Sequence, residues 1–235
     1  MSPSELLPDN SEPDGRADRH PRRSILKWAA AAAASAAAFG VDVPGLRLTR
    51  AFAQAGVDLG GGDIGVLNYA YALEQLEAAF YTQVIATPYR GMDGYERSML
   101  RDIRDHEIAH REFFRKALGG NRIPNLTPNF SAVSFADRTS VLTTAKTFED
   151  LGVSAYNGGG AAIKNPKYLA AAGSIVSVEA RHAAIIRDMI NPLSPDFAGD
   201  DVVDWSGLDV SRLPSQVLPK AAPFIATPVT ATQLP

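Results

Sequence analysis

The sequence predicts an all-α protein, a bundle of four long helices with one long crossover and an extended C-terminal tail. Three observations predict it. Four long stretches carry apolar residues at helical intervals: Ile64 to Ala86, Gly94 to Leu118, Asp137 to about Ile163, and Pro166 to Ile190. The pattern Glu-x-x-His occurs in two of them, as Glu107 with His110 and as Glu179 with His182. One connection, Gly119 to Asp137, is long, while those on either side of it are short.

The composition, 46% hydrophobic and 21% charged with a formal net charge of -3, is that of a globular protein with one sizeable core. Nothing in it asks for nucleic acid. The chain has no cysteine, which excludes disulfides, iron–sulfur clusters and thiolate zinc sites. Any metal must therefore be held by Glu, Asp or His.

Residues 1–55 are expected to be a leader and linker. Arg22 and Arg23 stand just ahead of a weakly apolar, alanine-rich run from Trp28 to Phe39, the pattern of a twin-arginine export signal. The run is too short to span a bilayer, so no stable membrane span is expected in the mature form, and the protein is expected in the periplasm or otherwise exported. Cleavage after Ala53 or after Ala55 fits the small-x-small rule equally well. Residues 56–191 then form the bundle and 192–235 the tail, which is rich in Pro, Thr and Ala with a short turn near Ser215 to Leu218.

The first helix follows Gly60-Gly61-Gly62, with Asp63 placed to cap its amides. Its inward stripe is Leu67, Tyr71, Glu74, Ala78, Tyr81 and Ile85, with Glu77 beside it. A carboxylate on an apolar face is costly unless it is paired or binds a metal. The second helix presents Leu100, Ile103, Glu107, His110, Phe114 and Ala117, and keeps Arg97, Arg101, Arg104, Arg111 and Arg115 on the wet side; Gly119-Gly120 stops it. Gly119 to Asp137, at about 3.3 Å per extended residue, can travel the length of a helix, so the third helix can start at the far end of the bundle.

The third helix carries Leu142, Ala145, Glu149, Gly152 and Tyr156 on one face, and small residues beside Glu149 leave room for an ion. Gly158-Gly159-Gly160 should weaken it, each glycine costing about 1 kcal/mol relative to alanine. Height argues for continuation. Glu74 lies thirteen residues before Thr87 and Glu107 thirteen after Gly94, so the two meet at one level; for Glu149 to meet Glu179 likewise, the helix must run to about Ile163. Asn165 then caps the fourth helix and Pro166 starts it, with Ala172, Ile175, Glu179, His182, Ile186 and Met189 facing inward.

The two halves repeat. Tyr81 follows Glu74 by seven residues and Tyr156 follows Glu149 by seven, and a Glu-x-x-His helix comes after each. Four glutamates and two histidines would meet at the centre of such a bundle, enough for two metal ions with open positions. Between Glu74 and Glu77 the spacing does not choose. His106 falls beside the stripe, as an outer partner or a surface residue, and Glu77 suits a partner for an arginine or for His106. Tyr81 and Tyr156 could hydrogen-bond the carboxylates, carry radicals, or simply pack.

Leu67 to Tyr81, His106-Glu107 with His110, Phe148 to Val153 with Tyr156, and Ser177 to His182 together make the chain similar to the ferritin-like superfamily of carboxylate-bridged dimetal proteins, and to its exported, desiccation-related branch. The resemblance covers about Asp63 to Ile190. It implies that Glu107 and Glu179 bridge two ions, that His110 and His182 each complete one, and that Glu74 and Glu149 are terminal ligands. A fifth helix like that closing a ferritin cage is not evident, so a storage shell is not expected. Hard carboxylates with one imidazole per ion favour iron or manganese, two ions in all, able to meet oxygen or peroxide. The expected function is an exported dimetal protein that oxidises ferrous iron or handles peroxide or oxygen in stress defence, drawing electrons from iron, peroxide or an external donor, alone or as an oligomer. The other readings are a structural desiccation protein and a metal carrier without turnover.

Overall fold

The computed structural model describes residues 56–235; the leader, the twin-arginine pair and both cleavage positions lie outside the described residues. Four helices dominate: α1 (Gly62–Ala86), α2 (Gly94–Leu118), α3 (Arg138–Gly160) and α4 (Pro166–Ile190). Helices α1 and α2 pack as one hairpin and α3 and α4 as another, and the hairpins close on each other through α1 with α3 and α2 with α4. Residues 122–137 cross from the end of α2 to the start of α3, which makes the single long crossover expected of the bundle.

The caps follow from local chemistry. Asp93 accepts from the Glu96 amide, Asp137 from Thr139 and Asn165 from Lys167, so each of α2, α3 and α4 has one of its free N-terminal donors satisfied by the residue before it. Asp63 behaves otherwise. Helix α1 starts two residues earlier than expected, at Gly62, which puts Asp63 inside the first turn. Its carboxylate instead accepts from the Lys164 and Asn165 amides, at 2.8 and 2.9 Å, and ties the α3–α4 turn to the start of α1.

Helix α3 continues through all three glycines and ends at Gly160, three residues short of Ile163; Ala162 and Ile163 close the turn with bonds to the Gly159 and Gly160 carbonyls. The levels of Glu149 and Glu179 match as the height argument requires. In α2 the inward stripe ends on Leu118 rather than on Ala117, which is exposed.

Helix α1 differs most from its expected one-sided pattern, being buried on nearly every side from Gly65 to Ala78. Its outer face carries the crossover. Asn68 accepts from the Ile123 amide and donates to the carbonyls of Leu59 and Asn121, while Gln75 accepts from the Leu126 amide. Two polar side chains that look solvent-facing in sequence thus satisfy loop backbone that would otherwise be buried without partners.

The tail is more structured than the single turn expected of it. A short helix, α5 (Pro214–Ala221), buries Val217 and Ala221 against α3. Upstream, the buried Arg187 of α4 holds Asp150 of α3 and Asp201 of the tail at 2.7 to 2.9 Å. Downstream, β2 (Val229–Thr230) pairs in parallel with β1 (Val57–Asp58), so the end of the described chain lies against its beginning.

Candidate metal centre

Six side chains converge midway along the bundle. Glu74 comes from α1, Glu107 and His110 from α2, Glu149 from α3, and Glu179 and His182 from α4. All four glutamates have no solvent exposure, and His182 has 4%. Their donor atoms form two groups, Glu74, Glu107, His110 and Glu179 in one and Glu107, Glu149, Glu179 and His182 in the other, each within 4.8 Å of one another. Glu107 and Glu179 belong to both. The three-residue spacing on α2 and α4 is what sets each histidine beside its own glutamate.

Both imidazoles turn Nδ1 inward. His110 Nδ1 lies 2.9 Å from Glu179, 3.5 Å from Glu74 and 3.8 Å from Glu107. His182 Nδ1 lies 2.8 Å from Glu107 and 3.4 Å from Glu149. These contacts are close, yet none has the geometry of a hydrogen bond. Both oxygens of Glu107 and of Glu179, one each of Glu74 and Glu149, and both histidine Nδ1 atoms are buried without a hydrogen-bond partner. Buried polar atoms are ordinarily paired, and such a concentration of converging lone pairs is the geometry of a cation site. The residues present therefore fit two hard or borderline divalent ions sharing Glu107 and Glu179.

The remaining oxygens of the terminal glutamates are held across the repeat. Tyr81 of α1 donates to Glu149 of α3, and Tyr156 of α3 donates to Glu74 of α1. Each half of the molecule thereby orients the other half's carboxylate. Burial first, then the adjacent carboxylates, pushes both phenols well above their ordinary values, so they stay protonated and act as donors.

The electrostatics show charge crowding that protons relieve only in part. Burial, opposed by His110, leaves Glu74 raised to about 7. Burial and then neighbouring carboxylates drive Glu179 well above the ordinary range; burial raises Glu149 against the pull of His182. Glu107 goes the other way: burial would raise it, but His110 and His182 hold it down at about 2. Burial would lower His182, but Glu149 and Glu107 outweigh it and raise it to about 11; His110 is raised in the same way by Glu107, Glu179 and Glu74. Metal ions would take the place of those protons.

Two residues stand closer to the centre than the sequence suggested. Glu77 has neither an arginine nor His106 as partner among the described residues. It is buried, and its carboxyl is driven well up by burial and then by Glu179 and the other glutamates. In the repeat its counterpart is Gly152, and a Cβ there would lie 3.1 Å from Glu77 Oε1 and 3.4 Å from Glu179 Oε2. The space that Gly152 leaves is thus taken by Glu77, not held open for an ion. Glu74, not Glu77, falls in the donor groups. His106 places Nδ1 3.0 Å from His182 Nε2 and stacks its ring on that imidazole at 5.2 Å between centroids. With His182 Nδ1 aimed at the carboxylates, its Nε2–H donates outward to His106. The corresponding position before Glu179 is Val178, which cannot accept a hydrogen bond from His110.

No curated protein matches the chain. A family model described as a ferritin-like domain matches residues 62–192, which are more than half of the chain and run from the first residue of α1 to just past α4. On that match, and with the bundle and its carboxylate–histidine centre as described, the chain belongs to the ferritin-like domain family.

Proposed function

We propose that this is an exported, stress-related dimetal protein that holds two iron or manganese ions and oxidises ferrous iron or consumes peroxide or oxygen. The observation that carries the reading is the set of unpartnered donor atoms on Glu74, Glu107, His110, Glu149, Glu179 and His182. Glu107 and Glu179 would be shared between the two ions, His110 and His182 would each hold one through Nδ1, and Glu74 and Glu149 would hold the two ends. Two ions so bound supply redox chemistry toward oxygen or peroxide that no side chain here can supply alone.

The chain's own residues do the rest. Tyr81 and Tyr156 fix the terminal carboxylates by donation, and His106 fixes the ring plane of His182. Glu77, buried beside Glu179, can hold a proton next to the centre. Ala78 and Ile186, both fully buried and one turn from Glu74 and His182 on their helices, exclude water beside it. Export is supported by the twin-arginine pattern at Arg22-Arg23, and electrons would come from ferrous iron, from peroxide or from an external donor. The test is elemental analysis of the purified protein, followed by ferrous iron or peroxide. About two iron or manganese ions per chain with turnover would establish the reading; ions without turnover would make the protein a carrier, and a folded, metal-free protein a structural stress protein.

A further inference from the structure

The two halves of the repeat are packed unequally. On the His110 side of the centre lies a pocket of about 30 Å³ whose lining includes Ala70, Phe114, Ala155, Tyr156, Gly159 and Ala172. Ala70 stands four residues before Glu74 and Phe114 four after His110, so the pocket begins one helical turn from that end of the centre. Across the repeat, where Glu149 answers to Glu74 and Glu179 to Glu107, the counterparts of Ala155, Gly159 and Ala172 are Phe80, Val84 and Leu100, each with no solvent exposure. One end of the bundle is filled by large side chains, and the other is hollowed by alanine and glycine. A hollow costs stability, and neither capping nor ligation of a metal requires this one.

The wall of the pocket runs from the half-buried Phe113, Ile163 and Tyr168 to the buried Leu73, Phe114 and Tyr156. Three tyrosines line it, Tyr69, Tyr156 and Tyr168, yet the surface turned to the space is almost wholly carbon. The Tyr69 hydroxyl is closed off from it, and that of Tyr156 is donated to Glu74. The volume holds one molecule of about two heavy atoms, and the lining offers a water none of the partners it needs. Hydrogen peroxide, with two O–H donors to satisfy, is disfavoured on the same ground. A neutral apolar diatomic gives up little on leaving water and gains dispersion contacts on every side.

We propose that this pocket binds dioxygen and holds it beside Tyr156, so that dioxygen, not peroxide, is the oxidant that reaches the centre, and reaches it from the His110 side. Reduction of one dioxygen to hydrogen peroxide takes two electrons and two protons, which two ferrous ions, each oxidised to ferric, and solvent supply. The role at the centre rests on the dimetal reading. Binding of the gas does not.

The test is methyl NMR of the full chain, metal-free and in a second sample filled with diamagnetic zinc, under dioxygen pressure with nitrogen as the reference. Dissolved dioxygen is paramagnetic and speeds the relaxation of the methyls it touches. The buried methyls of Leu73, Ala155 and Ala172 are expected to relax faster under dioxygen than the exposed methyl of Ala180, and those of Val84 and Val141 at the filled end are not. Filling the space should abolish the excess. Ala172→Val adds two methyls to the wall, and Gly159→Ala sets a Cβ 3.4 Å from Val66 and 3.7 Å from Tyr69, ordinary contacts that the helix accepts. With iron bound, both variants should keep their metal content and raise the half-saturating dioxygen concentration for ferrous oxidation several-fold, with oxidation by added peroxide unchanged. No excess relaxation at Ala155 and Ala172, an equal excess at Val84 and Val141, or an unchanged half-saturating concentration in variants that have lost the excess would each overturn the proposal. A chain that shows the excess yet binds no iron would strike the dimetal reading and leave the gas site established.

Discussion

At the scale of single residues, the centre divides into the proposed ligands and the groups that aim them, and substitution should separate the two. Glu107→Ala removes a shared ligand, and elemental analysis should find both ions lost; His182→Ala should lose one. His106→Ala should keep both ions but weaken the His182 position by about tenfold, seen in a chelator competition, because an outer hydrogen bond to a ligating imidazole is removed. Equal metal loss in all three would contradict these assignments. Tyr156→Phe leaves a Glu74 oxygen buried without its donor, and denaturation should show a cost of about 1–3 kcal/mol in the metal-free protein. The convergence of the six side chains was legible in sequence because helical spacing fixes which side chains share a face. Glu77 and His106 were not, because their roles depend on the partner across the bundle: Glu77 needs the gap at Gly152, and His106 needs His182 from another helix.

At the scale of elements, the helix limits follow from capping and height, and the failures are informative. Asp63 and Asn165 look alike as caps in sequence. Only the fold shows that Asp63 serves the α3–α4 turn, since a start two residues earlier moves it out of the capping position. The glycine run in α3 makes a similar point, because isolated propensity predicts a break and tertiary packing overrides it. The three glycines should therefore respond differently to alanine. Gly160→Ala meets only Leu169 at 3.8 Å and should stabilise by up to about 1 kcal/mol in urea denaturation. Gly158→Ala collides with Arg212 backbone, and should destabilise and free the α5 segment to protease despite the same gain in propensity.

At the scale of the whole molecule, the buried carboxyls make the stability of the metal-free protein depend on pH. A raised carboxyl means that the folded state prefers the proton. The contribution of Glu74 is therefore fully present below the ordinary value of about 4.3 and is lost as pH rises through about 7, with Glu77, Glu149 and Glu179 shifted in the same direction. Glu107, held at about 2, loses its contribution as pH falls from about 4.3 through about 2, and that of His182, raised to about 11, is full only below about 6.5 and is lost as pH rises from there through about 11. The metal-free melting temperature should fall between pH 5 and pH 8, and iron or manganese should restore it most at pH 8. A metal-free melting temperature that is flat or rising across that interval would contradict the charge crowding described. The bundle was legible at this scale, but the wrapping of the tail was not: Pro, Thr and Ala give no periodicity, and what holds the tail is Arg187, Asp150 and Asp201 meeting from three distant segments.

The pairing of β1 with β2 has a consequence for how the molecule is made. Asp58 and Thr230 are bonded across 172 positions, and Gly56 precedes Val57 directly after the expected leader. During synthesis the helices can form as they emerge, but the first strand must wait unpaired until Val229 and Thr230, 172 positions later, have left the ribosome. The fold is therefore latched by a late step, and a chain stopped short of Val229 leaves β1 without its partner strand.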